Sequence, residues 1–524
     1  MLTYGSLGRA QLTLRYYLEA VTTPKLIETF ANTLVVTVGS TAIASAFGIL
    51  YALVTSRTNI PHVATIETLM IFPFFVSPLI GAMAWNFVLG PMGLVNYLSS
   101  TIFGLEKIVD SYNLVAISWV MGLYFAPFVF LFTSSGLKSM NPALEEASAM
   151  AGAGSLRTLL GVTLPVVAPS VLSGILLVFV SAASHFSVPL LLGRHKGIYT
   201  ITTRIFDLMS GYPARFELAA ALSILLLSIT AIGMYLQRRQ IRGREFVTVT
   251  GRGFRPRLID LGKWRHPVFF LCLFYLAIAF ALPLIMLVLS SFTPYFDLRN
   301  LQLTTSNWQF ILFQHPMTAR GIKNSFLLAL LTATATTFLA LIVSFLVVRT
   351  KVVGRSILDY LSMMPVGIPI TGFAVALLYA WIQAPIPIYG TIWILFVAYM
   401  TMEIPYGMRA SSSALRQIDE ELEGASRMCG GSWLHTMRKI VLPLMKPGLM
   451  AGWVMIFVSS VRESTASILL QSYGNEVFSI VLYERWVEGG FTECSALAAL
   501  QVIFIFAVIL ISRKVVGFEI GKIV

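Results

Sequence analysis

The sequence predicts an all-α polytopic membrane protein, with about eleven transmembrane helices in two parallel, pseudo-symmetric halves. Three observations lead there. Of 524 residues, 57% are hydrophobic and 12% are charged, half of the roughly 25% charged residues that a soluble domain needs. Long apolar runs recur along the whole chain. Two different patterns appear twice, at nearly constant spacing.

A helix crosses the hydrocarbon core with about 17–25 mostly apolar residues. Such runs lie near 31–54, 65–89, 114–136, 169–192, 217–236, 268–290, 324–347, 358–382, 390–410, 448–470 and 494–512. They are long and lack a two-residue alternation, which indicates helices rather than barrel strands. Met1 to Phe30 has no continuous apolar core followed by a small-residue cleavage site, so no cleavable leader is visible. Cys272, Cys429 and Cys494 fit neither a disulfide framework nor a metal-ligand spacing.

Arginine and lysine orient the spans. Between the fifth and sixth runs lie Arg238, Arg239, Arg242, Arg244, Arg252, Arg255, Arg257, Lys263 and Arg265, against Glu245 and Asp260 alone. That places this stretch in the cytoplasm. Alternation then puts Arg57, the Arg349-Lys351-Arg355 cluster and Arg513-Lys514 inside as well. The net charge of +13 is thus a topology signal. No aromatic stacking platform or groove-reading element accompanies it, so no nucleic-acid partner is expected. The partner that composition does require is the lipid bilayer.

The halves are related by two shifts. A shift of 292 lays Asn32 on Asn324, Arg57-Thr58 on Arg349-Thr350 and Pro73 on Pro365. A shift of 278 lays Ala147 on Ala425, Gly152 on Gly430, Leu164-Pro165 on Leu442-Pro443 and Gly174 on Gly452. Equivalent helices are separated by an even number of spans, so the repeat is parallel, about an axis along the bilayer normal. The expected organisation is an outer N-terminal segment (1–29), a first transmembrane domain (30–236), a basic cytoplasmic linker (237–266), an extra helix and outer loop of the second half (267–318), a second transmembrane domain (319–513) and a cytoplasmic tail (514–524). At the 292 shift, residues 14–18 fall on 306–310, so the first thirty residues resemble the outer loop of the second half. A counterpart to the run 268–290 is missing. The N-terminus then lies outside, or the chain begins downstream of its natural start.

Each copy of the 278-shifted pattern sits on the inner side, between a span that enters and one that leaves. Asn141 with Pro142, and Asp419 in the second copy, are suited to start a helix. Short small-residue helices follow, and glycine interrupts them at Gly152 and Gly154, and at Gly430 and Gly431. A second helix carries Leu156, Leu159, Leu160 and Val162, or Trp433, Leu434, Met437 and Ile440, and Pro165 and Pro443 are expected to stop it. The product is a bent helical hairpin with a glycine elbow. Two matching knobs on a pseudo-two-fold body suit a two-fold symmetric cytoplasmic partner.

Here the chain resembles the membrane subunits of type I ATP-binding-cassette importers. Their loop signature is Glu-Ala-Ala, three residues, Gly, nine residues, an aliphatic, any residue, Leu-Pro. This chain has Glu145 and Glu146, then Ala147, Ser148, Gly152, Val162, Leu164 and Pro165. The second copy keeps Glu423, Ala425, Gly430, Ile440, Leu442 and Pro443, but Gly424 stands where Glu146 does. The resemblance implies two type I ABC permease halves whose loops are coupling helices docking on a cytoplasmic ABC ATPase dimer. It further implies a periplasmic substrate-binding protein and a multi-pass place in a bacterial inner membrane. No G-x-x-x-x-G-K-[ST] occurs in the chain. It is expected to be no enzyme, with no catalytic residue, bound metal or cofactor of its own, ATP being used by partner subunits.

Ionisable groups within spans are costly and are functional candidates by default. Arg462 and Glu463, followed by Ser464, fall at the 278 shift on Ser184 and His185. These five are the candidate path-lining residues, against a structural alternative in which each pairs with a neighbouring helix. Glu403 is expected to serve structure near the coupling region. Pro73, Pro78, Pro365 and Pro369 are expected to kink the second span of each half. The stretch around "RESTASILL" and "IYTITTRIFDL" resembles the fused ferric-iron permeases, which implies iron as cargo. Thiamine and aminoethylphosphonate permeases share the fused layout and stay open as alternatives. An ion-coupled secondary transporter is the rival of another class, disfavoured by the parallel repeat.

Overall fold

The computed structural model describes residues 2–4, 10–105, 107–241 and 258–516. Among them, nine helices are long and apolar enough to cross a membrane, or ten if the bent pair Arg355–Gly367 and Ile370–Ile382 is one span. The remaining expected span is the 25-residue helix Ile392–Arg416, whose Glu403 and Arg409 make it less apolar. The described strands are one short antiparallel hairpin, Leu2–Tyr4 with Ala10–Leu12. The fold is all-α and polytopic.

The chain forms two compact units, Met1–Thr304 and Thr305–Ile523. In the first, the long helix Pro24–Arg57 packs along Leu114–Ser139. Small residues let the two backbones approach: a Cβ on Gly48 would come within 2.7 Å of Val129, and one on Gly122 within 2.6 Å of Ile43. With no hydrophobic drive between helices in lipid, such close packing is what holds a pair together. The second unit repeats the arrangement with Pro316–Arg349 and Ile392–Arg416. Both long helices are 34 residues, and each runs from a proline at its first turn to the paired arginine. The domain boundaries expected at 30 and 319 therefore fall inside helices.

A second boundary also moves. The helix Gly262–Ser291, assigned above to the second half, packs within the first unit. Tyr51 Oη donates to the Cys272 carbonyl at 2.7 Å, and the Tyr275 ring stacks on Phe47 at 4.2 Å. Chain order assigned it to the half it precedes, but the aromatic face it presents matches the half before it. The linker residues Arg242, Arg244, Arg252, Arg255 and Arg257, and the tail 517–524, lie outside the described residues.

The prolines act as expected in the second span of each unit. The first breaks between Val63–Ile71, with its short turn Phe72–Phe75, and Pro78–Leu89. Its counterpart bends by 111° between Gly367 and Ile370. The fourth core helix of each unit is also interrupted. Leu164–Ala183 ends and Ser187–Gly193 begins after Ser184, His185 and Phe186. Likewise Leu442–Arg462 ends and Thr465–Leu469 begins after Glu463 and Ser464. The runs 169–192 and 448–470 are thus not continuous helices.

Candidate functional site

The inner hairpins are built alike from equivalent residues. Asn141 Oδ1 accepts from the Ala143 amide at 3.0 Å and starts the helix Ala143–Met150. Asp419 Oδ1 accepts from the Glu421 amide at 3.0 Å and starts Glu420–Met428. The chain then turns through a left-handed glycine, Gly152 at φ +82° and Gly430 at φ +79°, with open space around each missing Cβ. Only glycine adopts this conformation freely, since an L side chain there costs about 1–2 kcal/mol. Two hydroxyls fasten the hairpin across the elbow: Ser148 to Thr158 at 2.9 Å, and Ser426 to Thr436 at 2.7 Å.

Pro165 and Pro443 do not stop the second helix. It runs on into the span as Ser155–Ala183, and as Trp433–Arg462. A five-residue π turn, Leu159–Thr163 or Met437–Val441, comes just before each Leu-Pro. There the amides of Leu164 and Leu442 bond five residues back, to Leu159 and Met437. The wider turn carries the bonding register past a residue that has no N–H to give. Leu164 and Leu442 are half-buried, while Pro165 and Pro443 are exposed.

Each hairpin is tied to its unit by one arginine. Arg57 ends the first long helix. Its Nε donates to Glu145 Oε1 at 2.8 Å, its Nη2 to the Leu137 carbonyl at 2.9 Å and its Nη1 to the Ser56 carbonyl at 3.3 Å. Thr163 Oγ1 adds a bond to the same carboxylate oxygen at 2.7 Å. The pair is buried, with side chains 3% and 8% exposed. The equivalent Arg349 Nε stands 3.2 Å from Glu423 Oε1, its Nη1 donates to Glu420 at 2.7 Å, and its Nη2 reaches the carbonyls of Leu415 and Ile418. Val441 replaces Thr163, and Glu423 Oε1 accepts no aligned hydrogen bond.

The acid that matters to this scaffold is therefore Glu145 and its twin Glu423. Glu146 is exposed, as is Gly424 at the matching position, and so are Ala147 and Ala425. Losing the second acid costs the second hairpin no internal ion pair. The outward tips are apolar: Met150 and Met428 are each 90% exposed, with Leu156 and Leu434 beside them.

The first corner has one more tie. Thr58 pairs with Ile259 in a short parallel bridge, the Ile259 amide donating to the Arg57 carbonyl at 2.8 Å. Asn59 Nδ2 donates to Asp260 at 2.6 Å. The Gly262 amide, and then the Asn59 side chain, hold the Asp260 carboxyl below the usual carboxylate range. The end of the linker is thus fastened beside the clamp.

The candidate path residues sit at the helix breaks. His185 packs edge-on to Phe125 at 5.4 Å, and its carbonyl accepts from Thr202 Oγ1 at 2.8 Å. Its Nε2 has no hydrogen-bond partner among the described residues. Ser184 Oγ bonds back to the Val180 carbonyl at 3.0 Å. In the other unit, Ser479 Oγ donates to the Glu463 carbonyl at 2.6 Å, and Glu463 Oε1 accepts from the Ala466 amide at 2.9 Å, capping the helix after the break. Ser464 is buried between the two helices. Glu403, expected near the inner hairpin, is not beside it. It lies buried against the helix break, bonded to Ser459 and within reach of Glu463 and Arg462. Distance along the helix explains this, because Glu403 lies near the middle of Ile392–Arg416, more than three turns before its end.

Reading residues one at a time missed the partnership of Arg57 with Glu145 and of Arg349 with Glu423. The signal was present, since an arginine repeats at the 292 shift and a glutamate at the 278 shift.

Two units of membrane helices, each with an interrupted helix and an elbowed inner hairpin, define a duplicated membrane permease. Residues 44–245 and 336–517 each match the binding-protein-dependent transport system inner membrane component family, and the chain belongs to that family. It is a multi-pass inner-membrane transport protein. It is 27% identical over 478 residues to the ferric transport system permease protein FbpB of Actinobacillus pleuropneumoniae, covering 91% of this chain and 69% of that one. It is 24% identical over 508 residues to the Fe(3+)-transport system permease protein FbpB 2 of Haemophilus influenzae, covering 96% and 92%. The spermidine/putrescine transport system permease protein PotC of Escherichia coli, 23% identical, matches 45% of this chain with 88% of its own length, the span of one half. Part of the crystal structure of a bacterial ABC transporter that imports alginate aligns with 48% of this chain at 16% identity and a TM-score of 0.39, too low to build on.

Proposed function

We propose that this chain is the permease of an ATP-driven importer for ferric iron, fed by a periplasmic binding protein and driven by a separate dimer of cytoplasmic ATPase subunits. The observation that supports the motor is the duplicated hairpin. Both copies share the left-handed glycine, the hydroxyl staple and an outward methionine at matching positions. A transport protein with no phosphate-binding motif of its own needs such a grip on its engine. Two relatives whose names carry ferric transport, each matching more than nine-tenths of this chain, support iron as the cargo. Ser184, His185, Arg462, Glu463 and Ser464 would line the path, where the helix breaks leave polar groups inside the membrane.

Reconstitution tests this reading. The chain is placed in liposomes with a candidate cytoplasmic ATPase from the same genome and a candidate periplasmic binding protein loaded with ferric iron. Iron uptake that requires ATP and the ATPase is the expected result. Uptake driven by an ion gradient with no ATPase present would overturn it in favour of a secondary transporter. ATP-dependent uptake of thiamine or aminoethylphosphonate, but not iron, would keep the motor and replace the cargo.

A further inference from the structure

We propose that Arg57 and Arg349 are positioning residues of the transport cycle. Each locks its hairpin to the inner ends of two membrane helices, so that a hairpin pushed by the motor moves those helices with it, and the lock of the first half is the stiffer. The proposal rests on the hairpins being the docking elements, as argued above.

Along the chain, the first hairpin joins its unit through the short turn at 140–142 and through the π turn Leu159–Thr163. π turns are places where helices bend. A push on Met150 would be absorbed there. The guanidinium closes that route by bonding three elements in three directions: the hairpin carboxylate of Glu145, the end of Leu114–Ser139 through the Leu137 carbonyl, and its own helix through Ser56. Arginine suits this, since its planar fork offers fixed donors that a lysine ammonium lacks. Leu415, the equivalent of Leu137, receives the same bond from Arg349. Two of the three links, to the hairpin carboxylate and to the end of the next long helix, are thus built twice from separate stretches of sequence. Arg349 turns its remaining donor to the Ile418 carbonyl instead of to its own helix.

The two locks differ in grade. In the first, Glu145 Oε1 is held by Arg57 and Thr163 together, and the linker strand braces the corner. In the second, Val441 is fully buried in an apolar cluster with Leu415, Ile418 and Met445 and donates nothing. Arg349 instead divides its donors between Glu420, which is 76% exposed, and Glu423. An exposed ion pair is screened and holds geometry weakly.

The test uses the full chain with its ATPase dimer in lipid nanodiscs. Three quantities are read. ATPase retained on purification and ferric-iron uptake per ATP hydrolysed in matched liposomes are measured on unlabelled protein. In separately labelled samples, the distance is measured between spin labels at Leu50→Cys and Ala143→Cys, at the base of the hairpin helix, in a Cys429→Ser background. The labels report the lock without any cargo. We expect Arg57→Gln to keep the ATPase bound and hydrolysing, to broaden the label distances, and to lower uptake per ATP about tenfold, as expected from losing a charged contact. Thr163→Val, which copies the natural second corner and so folds, should broaden them less and lower the ratio about threefold. Narrow distances and an unchanged ratio in both variants, with the ATPase still bound, would overturn the lock while leaving docking intact. Undiminished ATPase recruitment by a Gly152→Trp, Gly430→Trp double variant would instead remove the docking reading and the proposal with it.

Discussion

The two inner corners share a backbone and differ in what holds it. At the first, a buried arginine and glutamate are satisfied by a threonine, a backbone carbonyl and a linker strand. At the second, the threonine is a valine, the carboxylate loses an aligned bond, and packing of Val441, Leu415, Ile418 and Met445 takes over. A buried charge pair tolerates little change once formed, because removing one partner strands the other. An apolar cluster tolerates more, since hydrophobic packing is non-directional. Duplication preserved the geometry of the hairpin while each copy found its own way to anchor it.

That comparison is open to attack at several points. The largest effect should come from Arg57→Ala, which leaves Glu145 buried and unpaired and should cost about 3–5 kcal/mol, read as lost thermal stability of the purified protein in detergent. Arg349→Ala should cost less, about 1–3 kcal/mol, because Glu420 is already in water. Equal losses at the two sites would contradict the contrast. Next, Gly152→Trp should strain the elbow by about 1–2 kcal/mol while leaving membrane insertion intact, as judged by yield and by protease accessibility. Thr163→Val should lose about 1–2 kcal/mol, whereas Val441→Thr should be close to neutral, because it restores at the equivalent position a hydroxyl for Glu423 Oε1, which accepts no aligned hydrogen bond. A Val441→Thr loss as large as that of Thr163→Val would show that the second corner has no place for the bond. Smallest of all, Glu146→Gly should lose, and Gly424→Glu should gain, no more than about 1 kcal/mol, since both positions are exposed and only the helix cost of glycine changes.

Much of the site was legible beforehand. Gly152 and Gly430 announced an elbow because no other residue turns left-handed without strain. Pro78 and Pro369 announced broken spans because proline cannot continue the hydrogen-bond ladder. Pro165 and Pro443 misled for the same reason, since a π turn bypassed the defect that the residue creates. The break at Glu463 had no proline to mark it, whereas Pro189, with no N–H for the His185 carbonyl, marked the one after Ser184. Both breaks depend on Thr202 and Ser479, which satisfy carbonyls 16 or more residues away.

The sequence by itself determined that this chain lives in lipid and that one helical pattern recurs in its two halves. Those properties follow from composition and short-range periodicity, which the bilayer reads directly as transfer free energy. Only the tertiary structure decided that Glu145 rather than Glu146 anchors the hairpin, that Glu403 meets the helix break, and that the helix after the linker packs with the half before it. Each of these is a choice of partner between segments distant along the chain, set by which buried donors, acceptors and surfaces can satisfy one another at once.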